Sequence, residues 1–96
     1  MRMMKQFPLG DIGVTSGFVA KMGDPDRAAL EVKIALARHQ SGDWGQCCAF
    51  DKEINDEAVK TGGRVLSVYL TDDAVRFYVI TDWDRAHTTV MLCDEY

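Results

Sequence analysis

Apolar positions recur with a helical period in the first part of the chain and with a strand period in the last part. Asp24-Pro25-Asp26 is a strong helix start. Asp24 accepts free amide hydrogens, Pro25 suits the first helical position, and Asp26 complements the positive end of the dipole. From Arg27 to Gln40 there is no glycine or proline. Leu30, Ile34 and Ala37 form an apolar stripe, widened by Ala29, Val32 and Leu36, while Glu31 and Lys33 face elsewhere. Arg38 and His39 fall in the last turn, where positive charge is favoured, and Gly42 is the stop. A second, acidic helix is expected over Lys52–Thr61, capped by Asp51 and ended by Gly62-Gly63. Thr15 or Ser16 caps a shorter helical turn that Gly23 ends.

The remaining segments alternate. Arg64–Leu70 is apolar on both sides and reads as a central strand. Thr71-Asp72-Asp73-Ala74 turns the chain into a second strand, Val75–Thr81, and Thr88–Cys93 is a third. Phe7–Val14, weakened by Pro8 and two glycines, is a short edge strand. The expected fold is therefore α+β: two to three short helices followed by a three- or four-stranded antiparallel sheet, in one domain spanning 1–96. Its expected core is Leu30, Ile34, Leu36, Ile54, Val65, Leu66, Val68, Phe77, Val79, Ile80, Val90 and Leu92.

Composition sharpens this in three ways. With 47% hydrophobic and 27% charged residues, the chain has the balance of a globular protein. Its net charge of −4 argues against direct nucleic-acid binding, which needs a basic face, and suits docking on a basic surface. Three cysteines, two of them adjacent, make a poor disulfide framework and suit a reducing compartment. No apolar run approaches a signal peptide or a membrane span, so a cytoplasmic protein without a membrane partner is expected.

Polar residues that can carry chemistry concentrate in two loops: Arg38, His39, Ser41 and Asp43, then Asp82, Asp84, Arg85, His87 and Thr88. A small metal-dependent hydrolase or nuclease would use His39, Asp43, Asp82 and Asp84, with Ser41 or water as nucleophile. No nucleophile-elbow pattern surrounds Ser41, and His39 at a helix end has an ordinary role bonding terminal carbonyls. Asp82-x-Asp84 has ligands suited to magnesium but equally suits an aspartate turn closed by Arg85. Cys47, Cys48, Cys93, His39 and His87 lack zinc-ligand spacing, and neither Cys47 nor Cys48 has a basic neighbour to activate it. The competing set is Arg38, Trp44 and Arg85, residue types that dominate protein interfaces, beside the acidic helix carrying Glu53, Asp56 and Glu57; an equal reading packs Trp44 and Trp83 on the core edge, with the arginines bonding carboxylates within the fold.

The pattern Ala37-Arg38-His39-x-Ser41-Gly42-Asp43-Trp44-Gly45 resembles a family of small uncharacterised proteins carried by bacterial plasmids and integrated mobile elements. The likeness begins at Phe7-Pro8-Leu9-Gly10 and Thr15-x-Gly17. It continues through Asp51, Asn55, Gly63-x-x-Leu66-Ser67-x-Tyr69 and Ile80-Thr81-x-x-Asp84-Arg85-x-x-Thr88-Thr89, and closes at Glu95-Tyr96. Asp82-Trp83, His87 and Met91-Leu92-Cys93-Asp94 depart from it, and Lys21–Lys33 matches poorly. The family has no established activity. The resemblance implies mobile-element company, where small acidic inhibitors of host defence occur.

The expected function is thus non-catalytic: stoichiometric binding to a bacterial protein or protein–nucleic acid complex, most plausibly an anti-CRISPR or anti-restriction role against an effector with a basic surface. Arg38, His39, Asp43, Trp44, Glu53, Asp56, Glu57, Asp84 and Arg85 are the expected contact residues. No cofactor or metal is called for, and homodimerisation is compatible. Besides a hydrolase, the alternative is a mobile-element regulatory adaptor.

Overall fold

The computed structural model describes residues 5–96. The elements run β1 (Asp11–Val14), α1 (Ser16–Met22), α2 (Pro25–Gln40), α3 (Ala49–Thr61), β2 (Val65–Leu70), β3 (Arg76–Thr81), β4 (His87–Leu92) and a short 3-10 turn (Cys93–Glu95). The α+β class is as expected. The sheet has four strands in the order β1-β4-β3-β2, and it is mixed. The meander β2-β3-β4 is antiparallel, whereas β1 runs parallel to β4 with Ile12 opposite Thr88. The first strand therefore extends the sheet at its edge and corrects the purely antiparallel expectation.

Local chemistry explains the helix boundaries. The Thr15 hydroxyl accepts from the Phe18 amide at 3.1 Å and donates to Glu95 at 2.8 Å, so the chain end closes on the start of α1. Asp24 caps α2 by accepting from the Asp26 amide at 3.0 Å, with Pro25 just inside. Helix α3 begins earlier than expected, at Ala49. Cys48 is its cap residue and makes no side-chain cap bond, so Asp51 sits inside the first turn.

The helix faces differ from the expected ones. Helix α2 buries Ala28, Ala35 and His39, with Val32 and Leu36 packed alongside, and leaves Leu30 and Ile34 exposed. The small alanines let the helix approach the sheet closely, which larger aliphatic residues would prevent. Helix α3 buries Asn55 and Ala58 and exposes Ile54. Leu30, Ile34 and Ile54 thus leave the expected core. Val65, Phe77, Val79, Ile80 and Val90 are buried in it, and Leu36, Leu66, Val68 and Leu92 are half-buried.

Two clusters fill the space between helices and sheet. One gathers Phe18, Met22, Ala28, Ala35, Tyr69, Phe77, Val79 and Val90. The other gathers Phe7, Trp44, Cys47, Ala58 and Val65. β2 is an edge strand, not the central one expected from its apolar sides, and its outer edge is closed by side chain and loop. The Asn55 amide donates to Leu66 O at 2.8 Å and its oxygen accepts from Leu66 N at 3.1 Å, as a neighbouring strand would. Val68 N donates to Trp44 O at 3.2 Å, and Gln46 N donates to Val68 O at 2.6 Å.

Candidate functional site

The polar motif starts on the last turn of α2 and folds inward. His39 is fully buried. Its Nδ1 lies 2.6 Å from Ser67 Oγ and its Nε2 lies 2.9 Å from Thr81 Oγ1. Thr81 Oγ1 is 2.8 Å from Thr88 Oγ1, which donates to Leu9 O at 2.7 Å. Proton counting fixes the order of this chain, because each hydroxyl has one hydrogen to give. Thr88 spends its hydrogen on a carbonyl, so it accepts from Thr81. Thr81 then accepts from His39 Nε2–H, and the bare Nδ1 accepts from Ser67. The ring is therefore the neutral Nε2–H tautomer.

Its surroundings reinforce that state. Phe7 and Trp44 stand edge-on to the imidazole, with ring centroids at 5.2 and 5.8 Å. Burial foremost, then the positive charge of Arg85, depresses the His39 pKa from 6.5 to about 3. No carboxylate bonds to the ring, so His39 lacks the orienting acid that a general base uses.

The other motif residues are held by each other. Arg38 grips Asp43 with two bonds, at 2.7 and 3.3 Å, and lies 4.5 Å from the Tyr69 ring centroid. That pairing lowers the Asp43 pKa. The Tyr69 hydroxyl donates to Asp43 O at 2.7 Å, and burial pushes its pKa up. Ser41 Oγ donates back to Arg38 O at 2.8 Å, turned onto the helix end. Trp44 is buried, and its indole donates to Asp56 at 2.9 Å, tying the loop to α3. Gly45, at φ 68°, is required here: a Cβ would fall 2.1 Å from Val68 O.

The second loop folds into the same support. Arg85, at φ 60°, donates to Gly63 O at 2.6 Å, Asp82 O at 3.1 Å and Ala58 O at 2.9 Å, closing the C-terminal end of α3. It also stands 5.3 Å from the Phe7 ring centroid. Asp84 accepts from the Ala86 amide at 3.1 Å in an aspartate turn. Asp82 and His87 are exposed, 3.9 Å apart. Cys47 donates to Leu66 O at 3.4 Å, and burial raises its pKa. Among the described residues, no three histidine, cysteine or carboxylate side chains come together as a metal site would require.

The expected contact set therefore divides. His39 and Trp44 are buried and cannot touch a partner, and the guanidinium groups of Arg38 and Arg85 are used within the fold. Asp43, Glu53, Asp56, Glu57 and Asp84 remain exposed. Sequence reasoning missed Ser67 and Thr81 as partners of His39, and Thr88 as the link from Thr81 to Leu9 O, although strand alternation places Ser67 on the inward side with Val65 and Tyr69. It also missed Phe50, 70% exposed, and Ile54, 49% exposed, on the outer face of α3. Phe50 and Ile54 are one turn apart, as are the neighbouring Glu53 and Glu57, so the four side chains form one acidic-apolar face.

No family model matches the chain, and neither a curated protein nor a solved structure matches it.

Proposed function

We propose that this is a non-catalytic protein that acts by stoichiometric binding, and that the outer face of α3 makes the contact. The observation that carries this is the exposure of Phe50 and Ile54 beside Glu53 and Glu57. Large apolar side chains interleaved with carboxylates suit a partner whose surface is basic and carries apolar pockets. The non-catalytic reading is further supported by the polar motif, whose groups bond to one another and hold the fold together.

The partner we propose is a bacterial defence effector, of the CRISPR or restriction type, with a basic nucleic-acid channel. The acidic face would occupy that channel in the cytoplasm of a cell carrying the mobile element. The resemblance of the Ala37–Gly45 motif to mobile-element proteins supports this choice of partner. Among the described residues, no helix is long and apolar enough to cross a membrane.

The test is titration of the purified protein against reconstituted CRISPR and restriction complexes, reading both binding and nuclease activity. Wild type should bind and inhibit one of them at a one-to-one ratio. Glu53→Lys/Glu57→Lys should lose both effects with its fold intact. Failure to bind any complex, or equal binding by the reversed variant, overturns the proposal.

A further inference from the structure

Helix α2 is apolar on two opposite faces. Ala28, Val32, Ala35, Leu36 and His39 serve the protein's own core. On the far side, Arg27, Leu30, Ile34 and Ala37 follow the alternating three-and-four spacing of a helix–helix seam. Leu30 is 56% exposed and Ile34 49% exposed, and Ala37 is also exposed. Arg27 is drawn away from the seam by its 2.6 Å bond to Asp73. Two large aliphatic residues adjacent on a solvent face gain little from helix propensity alone and mark a surface that pairs.

The charges beside the seam select the occupant. One flank carries Asp26 and Lys33, and the other carries Glu31 and Arg38. In a parallel pair, opposite flanks of the two helices meet. Asp26 would then face the partner's Glu31, an acid against an acid, and Lys33 would face an Arg38 whose charge is already paired with Asp43, so no attractive pair forms. In an antiparallel pair about a two-fold axis, each flank meets its own copy. With Leu30 at the axis, Asp26 lies beside the partner's Lys33 and the symmetry repeats that pair, so two attractive pairs outweigh the single contact of Glu31 with its own copy on the other flank.

We infer that the outer face of α2 is a self-association surface, binding a second copy of this chain antiparallel with Leu30 at the two-fold axis. The pair uses none of the α3 residues. The contact is small, a few helical turns with two large apolar side chains from each copy. It falls below the roughly 800 Å² per partner of a standard stable interface, so the dimer is weak and exchanges rapidly.

Sedimentation equilibrium from about 10 µM to about 1 mM tests this, with circular dichroism to verify folding. Wild type should move from the 10.7 kDa monomer toward twice that mass across the range. Leu30→Asp, at an exposed position, should stay monomeric throughout. Lys33→Glu, which sets acid against acid, should weaken association about ten-fold, and Asp26→Lys/Lys33→Asp should restore it because each flank again carries one acid and one base. A wild-type monomer at about 1 mM, a dimer indifferent to Leu30→Asp, or a swap variant as weak as Lys33→Glu would each overturn the inference.

Discussion

A buried neutral histidine makes stability depend on pH, and His39 should dominate that dependence above pH 5. Its pKa is depressed from 6.5 in the ordinary state to about 3 in the folded protein. The unfolded chain therefore takes up a proton that the folded chain refuses. The stabilisation is complete above pH 6.5 and is lost as pH falls from 6.5 toward 3, approaching about 1.4 kcal/mol per pH unit. By pH 5 the loss is about 2 kcal/mol, or roughly 10 °C in Tm for a domain of this size. Asp43 and Asp73 also have depressed pKa values. Their contributions, however, are lost only below the ordinary carboxylate value of 3.8 and so fall outside this window. Urea unfolding at half-unit steps from pH 7.5 to pH 5, on wild type and His39→Gln, isolates the effect. The variant starts from lower stability but should lack most of the slope. Equal slopes in the two proteins, or a His39 imidazole that titrates near 6.5 by NMR in the folded protein, would refute the reasoning.

Three other substitutions probe the same framework. Thr88→Val leaves Leu9 O without its donor and frees the Thr81 hydrogen for His39 Nε2; the Nε2–H tautomer should lose its preference and the Nδ1–H tautomer become populated, read from imidazole nitrogen shifts, at a cost of about 1–3 kcal/mol. Arg85→Met removes two charge-assisted bonds to carbonyls at the end of α3 and one to Asp82 O in its own loop, and should cost about 3 kcal/mol in urea unfolding, with early hydrogen exchange in Ala58–Gly63. Ala74 stands at φ 66° in the β2–β3 turn, so Ala74→Gly should raise stability by about 1 kcal/mol, a gain seen as a higher Tm.

What the sequence made legible follows from how local each signal is. The Asp24-Pro25 start, the Thr15 cap and the three strands β2–β4 are set by neighbouring residues and lie within a residue of their expected bounds, whereas the place of β2 at the sheet edge, where a central strand is expected, is decided by long-range pairing. The packing face of α2 depends on distance to the sheet. There Ala28 and Ala35 fit and Leu30 does not, although a hydrophobic scale ranks them the other way. The direction of β1 against β4 is a long-range pairing, with no mark in Phe7–Val14 itself. His39 and Asp43 read as candidate chemistry because their residue types are reactive. Their partners, Ser67 and Thr81 for the one and Arg38 for the other, turn them into structural groups. Trp44 read as an interface anchor because nothing near it in sequence reveals the cover supplied by Phe7 and α3.

The central claim is that the polar motif supports the fold while the α3 face binds. It is tested most directly by measuring the binding of two matched variants to the same defence complex. Glu53→Lys/Glu57→Lys should unfold like wild type and fail to bind. Thr88→Val should be less stable yet bind with unchanged affinity at a temperature where it remains folded. The reverse outcome, binding kept by the charge-reversed protein and lost in folded Thr88→Val, would contradict the account and place the functional chemistry around His39.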